Sequence, residues 1–348
     1  MSLFIYTLEE SEKWDEVVRS FQHHDVYYLS GYVKAFMLHG DGQPLLFYYK
    51  DESIKGINVV MKRDVADDPF FEKKIDHGTI FDFITPYGYG GWLIDGSGTK
   101  EDLFQAYETW CRNHGVVSEF VRYHPVLNNA EKTTTSYEVA SLGKTILMDL
   151  SSPDVIWSNL TSKNRNMIRK AQKSGVQIYH GQFPEIYQTF KSIYNSTMDL
   201  NHARSYYYFE DEFYDSICND LPNEAQVFWA DFRGQVIAAS IIVEANGYMN
   251  YHLSGSLREF QSMAPSNLLL YQASLWGCHN GCRSFHLGGG VGSKEDGLYK
   301  FKSAFNRYGT KQFFVGKKVF LEQEYNKLCG MKNITDTELF FPKYRAKI

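Results

Sequence analysis

Hydrophobic residues recur along this chain at alternate positions and then every third or fourth, and the switching between these two spacings lays out the secondary structure. Residues 3–8 alternate as a strand, Trp14, Val17, Val18 and Phe21 give residues 9–21 a helical stripe, and residues 29–38 predict a second helix. Residues 44–50 and 54–63 flank the polar turn Asp51-Glu52-Ser53 and predict a hairpin. Strand spacing returns over 79–84 and runs into Thr85-Pro86-Tyr87-Gly88-Tyr89-Gly90-Gly91, a turn built of glycines and aromatics. A helix over 99–114 follows, with Thr99 as its cap and Gly115 as its stop, and then a strand over 116–123 that ends in His124-Pro125.

The second half repeats this order. A strand over 145–150 leads into a helix that opens at Ser151-Ser152-Pro153-Asp154, runs to about Ser174 and stops at Gly175. A strand over 176–179, helical stretches over 184–195 and 209–219, and strands over 226–231, 236–244 and 248–254 come next. A helix over 267–280, a buried strand over 282–287, a glycine-rich turn and a short helix start carrying Lys300, Phe301 and Lys302 complete the pattern. Each half thus reads strand, helices, antiparallel strands, glycine-bearing loop, helix, strand, which predicts an α/β chain (α+β, mixed sheet) of two similar domains. The polar stretch 127–143 separates them, giving expected domains of 1–135 and 136–348.

Composition narrows the function classes. The chain has 348 residues, 43% of them hydrophobic, enough for real cores, and a formal net charge of -5, so any polyanion must be met by a local patch. No apolar run approaches the ~18 residues of a membrane span and the first ten residues lack the pattern of a secretory leader, so a cytoplasmic protein is expected. Five cysteines without framework spacing suit reduced thiols. Cys278 and Cys282, with His279 and His286 nearby, match zinc-ligand spacing poorly, and no metal is expected.

Three stretches carry candidate chemistry. Gly288, Gly289, Gly290 and Gly292 permit either close packing or close approach of a ligand, while the order Gly292-Ser293-Lys294 excludes a nucleotide-hydrolase phosphate loop. Lys163, Arg165, Arg169, Lys170 and Lys173 fall within one helical stretch containing no acidic residue; Arg165, Arg169 and Lys173 share a face, a pattern suited to phosphate contact. Arg204 precedes Tyr206, Tyr207 and Tyr208, a guanidinium beside phenols that suits a diphosphate-and-sugar ligand.

Taken together, the run from Trp157 and Leu160 through Lys163, Arg165, Asn166, Ile168, Arg169, Lys170, Ala171 and Lys173 to Gly175-Val176 resembles the long-helix signature of the Fem-type peptidyltransferases. The glycine stretch followed by Leu298-Tyr299-Lys300-Phe301-Lys302 and Phe305 resembles the C-terminal motif of the same family, and residues 85–91 resemble its first-domain turn. The matches stand in the family's order over most of residues 85–305. The resemblance implies two tandem acetyltransferase-like (GNAT) domains and no bound cofactor. The implied reaction transfers an amino acid from aminoacyl-tRNA to an amine of a UDP- or lipid-linked peptidoglycan precursor, building an interpeptide bridge. It further implies that Lys302 and Phe301 lie at the charged tRNA end and its ester. Arg204 and Tyr208, with Lys34 from the first domain, would hold the sugar diphosphate, and Tyr251 and Tyr87 would line the substrate. One departure is that His124 stands before Pro125 where some members present an acid.

The chemistry also follows from first principles. Aminolysis of an ester needs a neutral amine, an aligned carbonyl and a cation facing the developing oxyanion, and Lys302 supplies that charge. His124 titrates in the range of a base, although a lone histidine at a strand end is more often structural. No nucleophile-histidine pattern is present, so direct attack without a covalent enzyme intermediate is expected. An acyl-CoA donor with an amino-sugar or polysaccharide acceptor is the main alternative. It is disfavoured because residues 258–267 lack the glycines of a pyrophosphate loop and Pro265 removes an amide donor. A third possibility is a silent scaffold that only binds wall precursors or RNA. The sequence leaves open the amino acid, the form of the acceptor and the oligomeric state.

Overall fold

A computed structural model describes residues 2–334 and 338–346 of the chain. They group into two compact units, residues 1–142 with 313–348, and residues 143–312. The first unit contains β1 (Ser2–Tyr6), α1 (Ser11–Arg19), α2 (Ser30–Leu38), β2 (Gln43–Lys50), β3 (Ile54–Asp64), β4 (Phe81–Ile84), β5 (Leu93–Gly96), α3 (Glu101–Asn113) and β6 (Val116–Arg122). β7 (Glu138–Asp149) leads into the second unit, which continues with α4 (Pro153–Asn159), α5 (Ser162–Lys173), β8 (Gln177–Gly181), α6 (Pro184–Leu200), α7 (Asp211–Asp220), β9 (Ala225–Phe232), β10 (Gln235–Ala245), β11 (Tyr248–Ser256), α8 (Pro265–His279), β12 (Ser284–Gly288) and α9 (Gly297–Ser303). β13 (Thr310–Val319) and α10 (Glu322–Met331) return the chain to the first unit.

The two sheets share one plan. In the first unit β1, β2, β3 and β4 pair antiparallel in sequence, β4 pairs parallel with β6, and β6 pairs antiparallel with β13. In the second unit β8, β9, β10 and β11 pair antiparallel, β11 pairs parallel with β12, and β12 pairs antiparallel with β7. The repetition of element order read from the sequence is therefore a repetition of topology, with β5 added on β3 in the first unit. The second unit's closing strand, β7, directly precedes α4, whereas the first unit's closing strand, β13, comes from the far end of the chain. This is why residues 313–348 cluster with the first unit, and why the division lies at 142/143 with a return at 312/313, where the polar stretch 127–143 suggested 135/136 and a second domain running to 348.

Each unit has its own core. Ile146, Met148, Ile168, Phe228, Met249, Leu268, Phe285, Leu287 and Phe305 are among the buried residues packing the second sheet against α5 and α8. Trp92, Leu103, Tyr107, Val121 and Phe320 belong to the first core, and Tyr325, Leu328 and Tyr344 pack a smaller cluster with Val65, Phe71 and Val117. The predicted helix 151–174 divides at Leu160, whose ψ of 144° is extended, and Thr161 starts α5 by accepting the Asn164 N–H with its hydroxyl. Among the described residues no helix is long and apolar enough to cross a membrane.

Candidate active site

Lys302 sits where the parallel strands of the second sheet part. β11 and β12 stay paired over Tyr248–Ser284, Met249–Phe285 and Asn250–His286, after which β11 continues through Tyr251 while β12 ends at Gly288, φ 74°. A crevice outside the carboxyl ends of parallel strands is the usual place for a ligand in an open sheet. α9 inserts Lys302 there: the residue is 8% exposed, its Nζ donates to Gly289 O at 2.7 Å, and it lies 5.7 Å from the centre of the Tyr251 ring. Burial pushes the ammonium down to about 8, against the partial support of Asp296. At neutral pH it is still mostly charged and also able to give up a proton. Burial likewise raises the Tyr251 phenol, offset in part by the neighbouring hydroxyls of Ser254 and Ser240, which are 3.0 Å apart.

The glycine stretch builds this position from the backbone. A Cβ on Gly289 would stand 2.7 Å from Lys144 O, and one on Gly290 would stand 2.0 Å from Lys294 O and 2.3 Å from Asp296 Oδ1. That closeness lets Asp296 cap α9, accepting from Tyr299 N at 2.9 Å and from Val291 N at 3.1 Å. The glycines thus aim α9 and expose the Gly289 carbonyl to Lys302. Phe301 packs edge-on against Phe305 at 5.4 Å as part of the core, so its place is beneath the site.

The basic helix divides into cations engaged within the fold and cations turned to solvent. Arg165 turns back on α4, donating to Leu160 O at 2.9 Å and Trp157 O at 3.3 Å, and so caps that helix's free carbonyls. Arg169 lies over the Trp157 ring at 5.1 Å, and it is exposed together with Lys163, Lys170 and Lys173. Among the described residues no carboxylate pairs with any of these cations. The first turn of α5 is tied to the end of α9, since Thr161 N and Asn164 Nδ2 donate to Ala304 O at 3.0 and 3.2 Å.

Arg204 and Tyr208 flank a short 3-10 turn, Ser205–Tyr207, beyond α6. Arg204 is exposed, and the Tyr208 hydroxyl donates to Asp199 Oδ1 at 2.7 Å, which raises its pKa.

Lys34, Tyr87 and His124 belong to the first unit. There the space past β4 and β6 is filled by the 85–91 turn, whose Gly90 N–H donates to Arg122 O at 2.8 Å. Four of the turn's carbonyls are drawn inward: Arg122 donates to Pro86 O at 3.0 Å, Tyr32 to Tyr87 O at 2.7 Å, Asn129 to Gly90 O at 2.8 Å and Tyr28 to Gly91 O at 2.8 Å. Tyr87 stacks on Phe36 of α2 at 5.2 Å, and Lys34 stands on the same helix. His124 is different from the predicted base. It is 1% exposed, its Nε2 lies 2.7 Å from Asp25 Oδ2, and its Nδ1 is 3.2 Å from both Val126 N and Leu127 N. Two backbone donors at Nδ1 put the proton on Nε2, facing Asp25, so both ring nitrogens are engaged in holding the chain.

The sequence analysis missed Asp296, Asp25, Arg122 and Asn129. Asp296 was visible as an acid just ahead of a helix start; the others act through contacts distant in sequence. Among the described residues Asp64, Asp67 and His77 alone bring three potential ligand atoms together, within 4.8 Å. Asp64 already accepts from Gly78 N and Ala66 N, and Cys278, Cys282, His279 and His286 form no such group.

Residues 161–303 match the family model of the acetyltransferase (GNAT) domain. No curated protein sequence matches the chain. Among solved structures the chain is similar to FemX, with a TM-score of 0.65 and 12% identity over 94% of this chain and 99% of that one. It is also similar to L-PGS from Bacillus licheniformis (TM-score 0.57, 13% identity, 89% and 92% covered) and to the C-terminal domain of a putative lysylphosphatidylglycerol synthetase from Agrobacterium fabrum (TM-score 0.56, 13% identity, 92% and 96% covered). The chain therefore has the fold of FemX over nearly its whole length, and its second unit carries a GNAT domain and with it the acyltransferase class.

Proposed function

We propose that this chain is an aminoacyltransferase that moves an amino acid from aminoacyl-tRNA to an amine of a UDP- or lipid-linked peptidoglycan precursor, in the cytoplasm and without a bound cofactor. The observation that carries this is that α5, whose exposed face bears cations and no acid, has its first turn hydrogen-bonded to the end of the helix that bears Lys302. This supports a polyanionic donor held on α5 with its ester at the buried ammonium. The neutral amine of the acceptor attacks the ester carbonyl, a C–N bond forms, and the negative charge that builds on the carbonyl oxygen is met by Lys302 Nζ. The ester C–O bond then breaks, its oxygen leaving with a proton from the Lys302 ammonium, which near pKa 8 is suited to give one, and the surplus proton on the attacking nitrogen passes to the neutral Lys302 amine, so that the amide forms and the ammonium is restored. Arg204 and Tyr208 are the proposed contacts for the acceptor's sugar diphosphate in the second unit, and Lys34 and Tyr87 those in the first.

An acyl-CoA donor is the second reading, favoured by the acetyltransferase domain match. Against it stands the start of α8, where Ala264 is held at φ 57°, Pro265 has no amide proton and Asn267 N donates back to Ala264 O at 3.2 Å. Such a helix start has few free N–H groups for a pyrophosphate. Incubating a UDP-linked muramyl-pentapeptide with mixed aminoacyl-tRNAs or with acetyl-CoA, and weighing the product by mass spectrometry, separates the readings. A gain of one amino acid with tRNA alone is expected; acetylation sinks the proposal.

A further inference from the structure

Tyr308, in the turn directly after α9, has a ring 78% exposed to solvent. Its presentation is fixed from below. Asn306 is buried, accepts the Tyr308 N–H at 3.0 Å and donates to Leu147 O at 2.8 Å, and a Cβ on Gly309 would stand 2.1 Å from Leu147 O. The turn is thus packed against β7 and points an aromatic ring outward.

The ring does not stand alone. The Arg307 guanidinium lies 5.3 Å from its centre and is anchored on the end of α4, donating to Ser158 O at 2.9 Å while its backbone N–H donates to Asn159 O at 3.1 Å. The residue before these is Trp157, whose ring carries Arg169 at 5.1 Å. Consecutive residues of one short helix therefore tie together two aromatic-guanidinium pairs. Lys163, Lys170 and Lys173 on α5 supply further charge, with no carboxylate partner among the described residues.

Trp157 is half-buried against Tyr271 and the second core, so Tyr308 is the ring open to solvent; an exposed ring beside guanidiniums in a cationic surface is how proteins hold single-stranded nucleic acid, the ring stacking on bases and the cations meeting phosphates. An anionic membrane would be met as well by free lysines and inserted aliphatic side chains; here the guanidiniums are pinned over ring faces, which favours bases. We propose that Tyr308, with Arg307 beside its ring and Arg169 held nearby on Trp157 to meet phosphates, forms a base-stacking platform for the unpaired 3′ end of the donor RNA, leading it toward Lys302. This inference rests on the aminoacyl-tRNA reading and names the side chains that position that donor.

The test is fluorescence anisotropy of the full chain with a labelled single-stranded RNA ending in CCA, a duplex of the same length, and phosphatidylglycerol vesicles. Tyr308→Ala is expected to weaken single-strand binding about ten- to hundredfold. Tyr308→Trp should retain it, and the salt dependence of Tyr308→Ala should match the parent, because stacking and not charge is removed. In transfer assays Tyr308→Ala should raise KM for the aminoacyl-tRNA and leave KM for the acceptor alone. Single-strand binding equal to the parent in Tyr308→Ala, a preference for duplex, or Tyr308-dependent binding of vesicles overturns the inference. Binding is read without turnover, so the platform fails while the donor assignment stands if the parent transfers from tRNA and Tyr308→Ala binds normally. Absence of transfer by the parent from tRNA is instead the failure of the donor assignment.

Discussion

Lys302 shows what burying an ammonium costs the fold. A lysine whose folded pKa lies at about 8 against an ordinary 10.5 is disfavoured in its charged form by burial, and the cost to folding is about 3 kcal/mol. The sign follows from the protons bound: below pH 8 both states carry the proton and the full cost is present; between 8 and 10.5 the folded state has released it and the cost fades; above 10.5 it is gone. Lys302→Met, similar in length and free of charge, is therefore expected to lower kcat by about a hundredfold or more while raising stability at pH 7. The gain should shrink as pH approaches 10.5. Urea melts of parent and variant at pH 7 and pH 10 check this, and a variant that is both inactive and less stable at pH 7 would refute the burial argument. Lys302 stood out in the sequence as a candidate from its place after four glycines. Its burial was not, because that depends on the parting of β11 from β12 and on the Gly289 carbonyl.

At the scale of elements, α5 shows what periodicity reveals and what it hides. The four-residue spacing of Arg165, Arg169 and Lys173 places them on one face, yet Arg165 caps α4 and Arg169 rests on Trp157. The division of the predicted helix at Leu160 creates the C-terminus that Arg165 caps, and no hydrophobic pattern signals that break, since Trp157, Leu160 and Ile168 keep their spacing through it. The neighbouring cations are thus expected to separate by experiment. Arg165→Ala should cost about 1 to 2 kcal/mol of stability through the lost charged hydrogen bonds. Replacing Lys163, Lys170 and Lys173 together by alanine should leave stability within about 0.5 kcal/mol per site. That triple variant should also flatten the logarithmic salt dependence of single-stranded RNA binding by about 2. Thermal melts and binding at two or more salt concentrations read both effects. Equal destabilisation by Arg165→Ala and the lysine changes would show that the α4 cap contributes nothing.

For the whole molecule, the repeat of element order was readable because each unit spells out most of its strands in sequence, the strand over 145–150 among them, but β13, which closes the first unit, was not. β13 is expected of the second unit by position and belongs largely to the first, where Val315 to Val319 pair with Arg122 to Ser118. The C-terminal residues are committed to that unit by buried charge. Asp82 is desolvated, which pushes its carboxyl up, yet Arg63 and Arg345 hold it below the usual range, with Arg345 Nε donating to Oδ2 at 2.8 Å and Tyr344 OH at 3.1 Å. Removing residues 313–348 takes away Arg345, Tyr344, the partner of the β6 edge, and the Tyr325 and Leu328 side chains of the smaller cluster. Loss of one partner from a buried ion pair alone costs about 3 to 5 kcal/mol, a large part of the ~5 to 15 kcal/mol by which domains are stable. A fragment of residues 1–142 is accordingly expected to unfold without a cooperative transition. Residues 143–312 keep the part of β7 that pairs with β12, Ile146 to Asp149, and the core around Met249 and Phe285, and should melt cooperatively on their own. Circular dichroism melts of the two fragments decide the matter: a cooperative transition for 1–142 near that of the full chain would mean that the C-terminal segment decorates the first unit and does not complete it.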